Sequence, residues 1–434
     1  MTGRKEPSTP ALCGTQASSI LARYSERTTA SAEAHARAER YLPGGNSRQA
    51  SYWRPYPVTL ERGQGTHVWD LDGNRYIDLI NNYTAMVHGH AFPPVVEAVD
   101  RQVRGGTGWA ASCRAQTDLA AQLAERVPSV EQVRFTNSGT EAGNLALMIA
   151  RVVTGRDKVL MARYGYHGSV MEFEVGSFGS EGPMTYIARY NDPDDFQAVL
   201  DRHGDEIAAV FVEPVQGPGG VVPGNADFLS KVRDAAHKAG ALFVLDEVLT
   251  FRFAPGGCQS NLGIEPDLTM FGKLIGGGFP VGAVGGAKEY LAIFDPADLK
   301  AYHTGTYNAN PVTMIAGDIT VRELTAGKIA GMDALCAQLK AGLEGAAQTA
   351  GLPLSIRHYG SVMNLYFSPA PPESAMVRDD NELMDRFHLA SMNHGLFLAA
   401  RGMIAMSSVM TPDTVSETLE RATAALADVA REIV

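Results

Sequence analysis

Apolar spacing divides the chain into stretches of different period. From about Ser19 to Tyr41 it has the spacing of a helix, which Pro43-Gly44-Gly45 ends. Between Thr66 and Ile80 apolar and polar residues alternate around Asp72-Gly73-Asn74, the pattern of a hairpin turn between two strands. Pro93 then opens, and Gly105-Gly106 closes, a predicted helix. The middle of the chain changes character. Short continuous apolar runs alternate with helices: 130–155 reads as strand, turn and long amphipathic helix, 157–168 and 207–217 as strands, 226–250 as helix, Gly and buried strand, and 266–286 as strand, loop and strand. Such runs are strands buried on both faces of a mostly parallel sheet covered by helices. From about Val312 the pattern is helix-rich, with a strand expected at 361–368 and a final amphipathic helix after Thr411-Pro412. No low-complexity linker interrupts it. The expected fold class is therefore α/β. A flexible tail is expected over 1–18, and a large central domain over about 96–315. A smaller α+β domain would be built from both chain ends, 19–95 and 316–434.

Charge and composition narrow the classes of function. The 434 residues carry 37 Lys+Arg against 48 Asp+Glu, a formal net charge of −11. That balance disfavours a nucleic-acid or membrane-surface binder, which needs a basic face. No apolar run approaches the roughly 20 residues of a membrane span. The N-terminal MTGRKEPSTPALCGTQASS lacks the apolar core of a secretory signal, so the cytoplasm is the expected location. Cys13, Cys113, Cys258 and Cys336 form no C-x-x-C pair and are expected to be reduced thiols, and no metal site is expected.

Three features stand where predicted strands end, which is where open α/β sheets bind ligands. Thr136-Asn137-Ser138-Gly139-Thr140-Glu141 joins a strand to a helix. Small hydroxyl residues and a glycine there leave backbone N–H groups suited to a phosphate, although an ordinary helix cap reads the same way. The spacing matches neither the P-loop nor G-x-G-x-x-G. Asp246 follows a run of apolar residues, so its buried carboxylate needs a cationic partner; an ion pair, a metal or a protonated ring nitrogen would serve. Lys273 stands alone in the Gly-rich stretch MFGKLIGGG, where desolvation would lower its pKa and make its amine nucleophilic. Most lysines are merely solvated. Together, though, a phosphate cradle, a buried Asp and a Lys in an apolar pocket are the groups a pyridoxal phosphate site requires.

The phrases LPGGNSR, FTNSGTEA, YGYHG, EPVQGPGG, LDEV, GKLIGGGFPVGAVGG and HTGTYNANP carry a resemblance that runs from about Ser19 to the C-terminus. The chain resembles the class III (fold type I) pyridoxal-phosphate aminotransferases. Within them it is similar to the glutamate-1-semialdehyde aminomutase branch, and to the β-amino-acid (β-phenylalanine) transaminases there. The resemblance implies that Lys273 holds pyridoxal 5'-phosphate as a Schiff base and then moves a proton. It implies that Asp246 keeps the pyridine nitrogen protonated, with Val248 under the ring, Tyr166 stacked on its other face and His167 beside it. Ser138, Gly139 and Thr140 would bind the phosphate, and Thr306 would reach the phosphate of a neighbouring subunit in a homodimer with shared active sites. Glu213 matches an E-P motif near the cofactor and receives no firm role; neither do Cys258 and His303.

The same resemblance bears on substrate. Acidic groups favour arginine, whose guanidinium binds carboxylate as a two-pronged fork. Arg48 and Arg401 match arginines of the β-amino-acid transaminases. Arg48 is expected to take the carboxylate of a β-amino acid, and Arg401 the distal carboxylate of a 2-oxoglutarate-like acceptor, with Tyr83 and Met86 shaping the pocket. The partners expected are thus small amino and 2-oxo acids, pyruvate included. Glutamate-1-semialdehyde 2,1-aminomutase is the alternative. Against it stands Arg401, and bulky Phe251 after DEV where that pattern has a glycine. A catalytically dead member of the fold, kept as a binding module, would not need Lys273, Asp246 and the phosphate loop together.

Overall fold

The computed structural model describes residues 19–376 and 382–433. The tail expected over 1–18, with Cys13, lies outside the described residues. A seven-stranded sheet forms the centre, in the order Gln132–Thr136, Gly282–Gly286, Leu268–Gly272, Leu242–Asp246, Ile207–Val212, Lys158–Ala162 and Thr185–Ala188. Only Gly282–Gly286 runs against the rest, pairing antiparallel with Leu268–Gly272 and with Gln132–Thr136. The strand at Thr185–Ala188 was not legible in the apolar pattern. It is short and lies at the sheet edge, and two of its four positions are only partly buried.

Alternate residues of the central strands serve two different cores, as a period of two requires. Val159, Met161, Phe211 and Val244 pack with Leu145 and Ile149 of helix Gly139–Thr154 on one face. Leu160, Val210, Val212, Phe243 and Leu245 pack on the other face with Phe196 of helix Pro193–His203 and Phe228 and Val232 of helix Ala226–Ala239. Both faces are dry, which is why Ile207–Val212 is buried at every position.

Two smaller sheets draw on both chain ends. The expected hairpin is present as His67–Asp70 and Arg75–Asp78, which Leu60–Gln64 extends on one side. On the other side Leu396–Phe397 pairs parallel with Ile77 and Asp78. Ser355–Tyr359, Val362–Tyr366 and Met403–Ala405 form the second sheet. Helices Pro311–Glu323, Ala326–Thr349, Glu382–Asn393 and Pro412–Ile433 complete the C-terminal part. Among the described residues no helix is long and apolar enough to cross a membrane. Cys113, Cys258 and Cys336 are unpaired thiols.

The expected single helix over 19–41 is instead two, Ser19–Arg27 and Thr29–Ala38. At the break Thr28 turns its hydroxyl back to donate to the Tyr24 carbonyl, at 2.7 Å, a local bond that competes with continuing the helix. The second helix takes its cap from a distant residue. Asp72, in the hairpin turn, accepts hydrogen bonds from the Ala30 and Ser31 amides at 2.7 and 3.1 Å.

His388, on helix Glu382–Asn393, is 1% exposed, and neither ring nitrogen has a hydrogen-bond partner among the described residues. It packs edge-on against Trp53 at 4.9 Å. Burial alone pushes its pKa down to about 3. The folded protein therefore holds it neutral, while the unfolded chain takes up a proton as pH falls through its ordinary 6.5. This stability is complete above pH 6.5 and is lost progressively below it. His388→Leu removes the loss, so its thermal midpoint should gain on the wild type as pH drops from 8 to 5, by about 2 kcal/mol of stability at pH 5. An unchanged gap between the two midpoint curves would show that the ring is solvated.

Candidate active site

Strand direction puts three loops at one end of the central sheet. Gln132–Thr136 leads into Ser138, which caps helix Gly139–Thr154 by accepting from the Glu141 amide at 3.1 Å. Glu141 in turn accepts from the Asn137 amide at 2.8 Å. The cap uses one of the free N–H groups of the first turn and leaves those of Gly139 and Thr140 for an anion.

Leu242–Asp246 ends in the buried carboxylate of Asp246, 4% exposed. Its Oδ1 accepts from the Val248 amide at 2.9 Å, and its Oδ2 lies 2.9 Å from His167 Nδ1. Leu268–Gly272 ends at Lys273, which holds the left-handed conformation (φ 47°) that side-chain-bearing residues rarely adopt. Burial pulls the Lys273 amine below its ordinary pKa, opposed by the carboxylates of Asp246 and Glu213.

Val248 is the point of convergence. A Cβ added to Gly139 would lie 3.2 Å from its Cγ1, and one added to Gly272 would lie 3.1 Å from the same atom. The phosphate loop, the valine and the backbone just before Lys273 are therefore in contact. Gly168 closes the cradle from YGYHG. Its φ is +108°, and a Cβ there would lie 2.6 Å from Thr140 Cα; the next amide, Ser169, donates to Thr140 Oγ1 at 3.3 Å.

His167 and Tyr166 take different positions. His167 is buried behind Asp246, between Phe173 and Phe211 at 5.6 Å each, rather than beside Tyr166 at the surface of the site. Tyr166 is 41% exposed. Its backbone amide donates to Glu213 Oε2 at 2.9 Å, and the Gly217 amide donates to Oε1 at 3.0 Å. Glu213 thus ties YGYHG to EPVQG. Burial pushes its pKa up to about 7, with His167 pulling it down and Asp246 pushing it further up.

A second cluster flanks the first. Residues 81–84 all have positive φ (52°, 49°, 52° and 75°), a full left-handed turn without a glycine. It presents Tyr83 and, just beyond, Met86. Arg48 Nη1 donates to Asn82 Oδ1 at 2.9 Å, and its guanidinium lies 5.5 Å from the centre of the Tyr83 ring. Burial raises the Tyr83 pKa, and the charges of Arg401 and Arg48 both lower it. Both arginines therefore act on one phenol. Arg401 Nη1 points at Met376 Sδ, 3.2 Å away. Arg48, Tyr83 and Met86 border a cavity of about 490 Å³ whose walls include Trp53, Ile80 and Phe397. Met86 Sδ also approaches Gly278, 3.1 Å from where its Cβ would stand, five residues past Lys273.

Among the described residues no hydrogen bond ties Thr306 to this chain's own phosphate loop. It is exposed, on a loop fixed at both ends: Asn137 Nδ2 donates to Asn308 Oδ1 at 2.7 Å, and Arg134 donates to His303 Nδ1 and to its carbonyl. His303, given no role from sequence, is thus an anchor. Among the described residues no group of His, Cys, Asp and Glu could hold a metal ion.

A helix-capping cradle, a buried carboxylate and a desolvated amine at one end of the central sheet fit pyridoxal phosphate in charge and donor type, and with this sheet they define a fold type I enzyme dependent on that cofactor. The comparisons agree. The aminotransferase class-III family model matches residues 49–429. A β-phenylalanine transaminase of Variovorax paradoxus is 38% identical over 393 residues, 90% of this chain and 91% of that one. A glutamate-1-semialdehyde 2,1-aminomutase of Thermomicrobium roseum is 37% identical over 91% of this chain and 97% of its own. A transaminase structure with PLP bound superimposes with a TM-score of 0.88 at 33% identity, covering 93% of this chain and 99% of that one. The chain belongs to the class III aminotransferases, and its cofactor is pyridoxal phosphate.

The cradle gives a direct test. In Gly168→Ala a methyl group must displace Thr140, and a positive φ becomes strained. Pyridoxal phosphate affinity, titrated by absorbance on the cofactor-free protein, should fall at least tenfold while the fold is kept. Unchanged affinity would remove residues 138–140 from phosphate binding.

Proposed function

We propose that this aminotransferase moves an amino group from a β-amino acid with an apolar, aromatic side chain to a 2-oxo acid, the donor product leaving before the acceptor enters. The observation that carries this reading is the cavity of about 490 Å³, mostly apolar in its walls, with Arg48 among its lining residues. A guanidinium beside apolar and aromatic side chains suits a carboxylate separated by a short spacer from an aromatic group. Similarity to the β-phenylalanine transaminase supports it.

Bound pyridoxal phosphate supplies the electron-withdrawing ring that makes the C–H bond beside the transferred nitrogen acidic. The chain's residues do the remainder. Lys273 holds the cofactor covalently. Once displaced, its Nζ takes the proton from the amino-bearing carbon, for which a lowered pKa suits it. Asp246 holds a proton on the ring nitrogen, and His167 fixes the carboxylate for that task. Ser138, Gly139 and Thr140 hold the phosphate; Val248 and Tyr166 hold the ring faces. Arg48 binds the donor carboxylate. Arg401 binds the distal carboxylate of a diacid acceptor and moves aside for an apolar donor.

We further propose a homodimer in which Thr306 reaches the partner's phosphate. The surface supports it. Trp109, Tyr302 and Tyr307 are exposed, and Val96, Val103 and Phe279 line an apolar groove, apolar surface that a subunit interface would cover. Sedimentation should give the mass of two chains, and Thr306→Ala should loosen the cofactor severalfold without altering that mass.

The aminomutase is the second reading, favoured by the 37% identity to the Thermomicrobium roseum enzyme. Acceptor kinetics separate the two. Arg401→Ala should lower kcat/KM for 2-oxoglutarate by about 10²-fold, of the order expected for loss of a charge-assisted pair, and for pyruvate by less than about threefold. Equal losses would refute the division of roles between the arginines. An amine-form enzyme that neither oxo acid discharges, yet that converts glutamate-1-semialdehyde, would be a mutase.

A further inference from the structure

Four left-handed residues in succession, none of them glycine, do not persist unless the surroundings hold them. Thr84 is the extreme case, a β-branched residue at φ 75°. Three sets of bonds hold the turn. Asp78 Oδ1 accepts from the Ile80 and Asn81 amides at 2.8 and 3.0 Å at its start. Asn81 Nδ2, on the turn's first residue, donates to the Ala405 carbonyl at 2.7 Å. At its end the Thr84 carbonyl accepts from Arg252 Nη1 at 3.4 Å.

Arg252 is an unusual residue to find there. It is 0% exposed and lies six residues after Asp246. Its guanidinium forms no ion pair within 4 Å among the described residues; Asp333 acts on its charge from further off, and its hydrogen bonds go to neutral acceptors. Nε donates to Ser361 Oγ at 2.9 Å, and Nη2 donates to the Met406 carbonyl and approaches Met332 Sδ at 3.6 Å. The fork thus ties the loop leaving Asp246 to three segments: the turn carrying Tyr83, the stretch 403–406 that follows Arg401, and the turn at Ser361. Met406 is the neighbour of Ala405, which Asn81 holds, so one pair of adjacent carbonyls is the floor for both stays.

We propose that Arg252 is a positioning residue that holds the left-handed turn 81–84 in place and thereby sets Tyr83 and Met86, the substrate wall, against the cofactor end of the sheet. A planar fork with donors in fixed directions can hold three segments at once; a lysine cannot. The part concerning substrate rests on the reading of the cavity as the donor pocket, while the part concerning the turn stands on the geometry alone.

The experiment uses the cofactor-loaded enzyme and the variants Arg252→Lys and Ser361→Ala, the second a milder change in case the first does not fold. Hydrogen exchange of peptides covering 79–90 should accelerate at least tenfold in Arg252→Lys and about threefold in Ser361→Ala. Peptides covering 268–282, and the cofactor's absorbance, should be unchanged. KM for the amino donor should rise about tenfold with kcat within threefold. Adding Thr84→Gly to Arg252→Lys, which frees the strained residue, should recover at least half of the lost affinity. Unaltered exchange at 79–90, or acceleration spread evenly over the chain, overturns the proposal whatever the substrate. Binding of 3-phenylpropanoate, followed by calorimetry, tests the pocket separately. If Tyr83→Ala leaves that binding intact while exchange responds as expected, the donor-pocket reading fails and the assignment of Arg252 to the turn stands.

Discussion

A carboxylate buried at the end of a strand is the constraint around which this molecule is arranged. Asp246 gives up most of its water, and a charge so placed is costly unless polar groups meet it. The chain meets it from two directions. The Val248 amide donates to one oxygen from the same loop, and His167 approaches the other from YGYHG. His167 is locked in its turn between two phenylalanines, so the carboxylate has little freedom to rotate. A partly buried amine and a second buried carboxylate, Lys273 and Glu213, share the same field. The Asp246 charge pushes the Glu213 pKa up and opposes the fall at Lys273, and Glu213 acts on Lys273 in the same sense. A ring with a basic nitrogen can enter such a field because the acceptor for its proton is already fixed.

Packing brings the catalytic motifs together. Ser138–Thr140, Val248 and Gly272-Lys273 come from separate strands, and they touch because Gly139 and Gly272 leave room for one valine between them. The reversed strand Gly282–Gly286 contributes to this arrangement. It lies between the strands that carry the phosphate loop and the lysine, and a Cβ at Gly282 would strike the Ser138 carbonyl. Gly139, Gly272 and Gly282 stand where a side chain would meet an occupied neighbour.

Much of this was legible in the chain. Central strands buried on both faces leave continuous apolar runs, and a run that stops at Asp246 or Lys273 marks a strand end. The helix cap at Ser138 is a local signal and was read as one. What escaped has a common cause, which is that it depends on residues far apart in sequence. The break at Thr28 is fixed by Tyr24 locally but by Asp72 beyond it. His167 could be placed near the cofactor, yet only the fold shows it behind Asp246. His303 and Glu213 are anchors whose partners lie 169 and 47 residues away. Residues 81–84 have no glycine to announce a left-handed turn, so nothing local signals the conformation.

The two clusters also differ in what they can change. The cofactor cluster lies within the central sheet and its loops, where a methyl group added at Gly139, Gly168 or Gly272 meets an occupied neighbour. The flanking cluster is assembled from the chain's two ends: Arg48, Tyr83 and Met86 from one and Phe397–Ala400, just before Arg401, from the other line a cavity of about 490 Å³. Similarity to a transaminase and to an aminomutase at nearly the same identity is what such a division produces. On the proposed function, the chemistry of nitrogen transfer would belong to the cofactor cluster, and Arg48 and Arg401 of the flanking cluster would decide which carboxylate enters and whether one substrate or two are used. A substrate change in this fold therefore needs the flanking segments to move without loosening Asp246, and a connection between them that is firm but made to backbone carbonyls allows that. Carbonyl acceptors persist whatever the side chains become, so the turn and the 403–406 stretch can vary in residue type while their attachment to the Asp246 loop is kept.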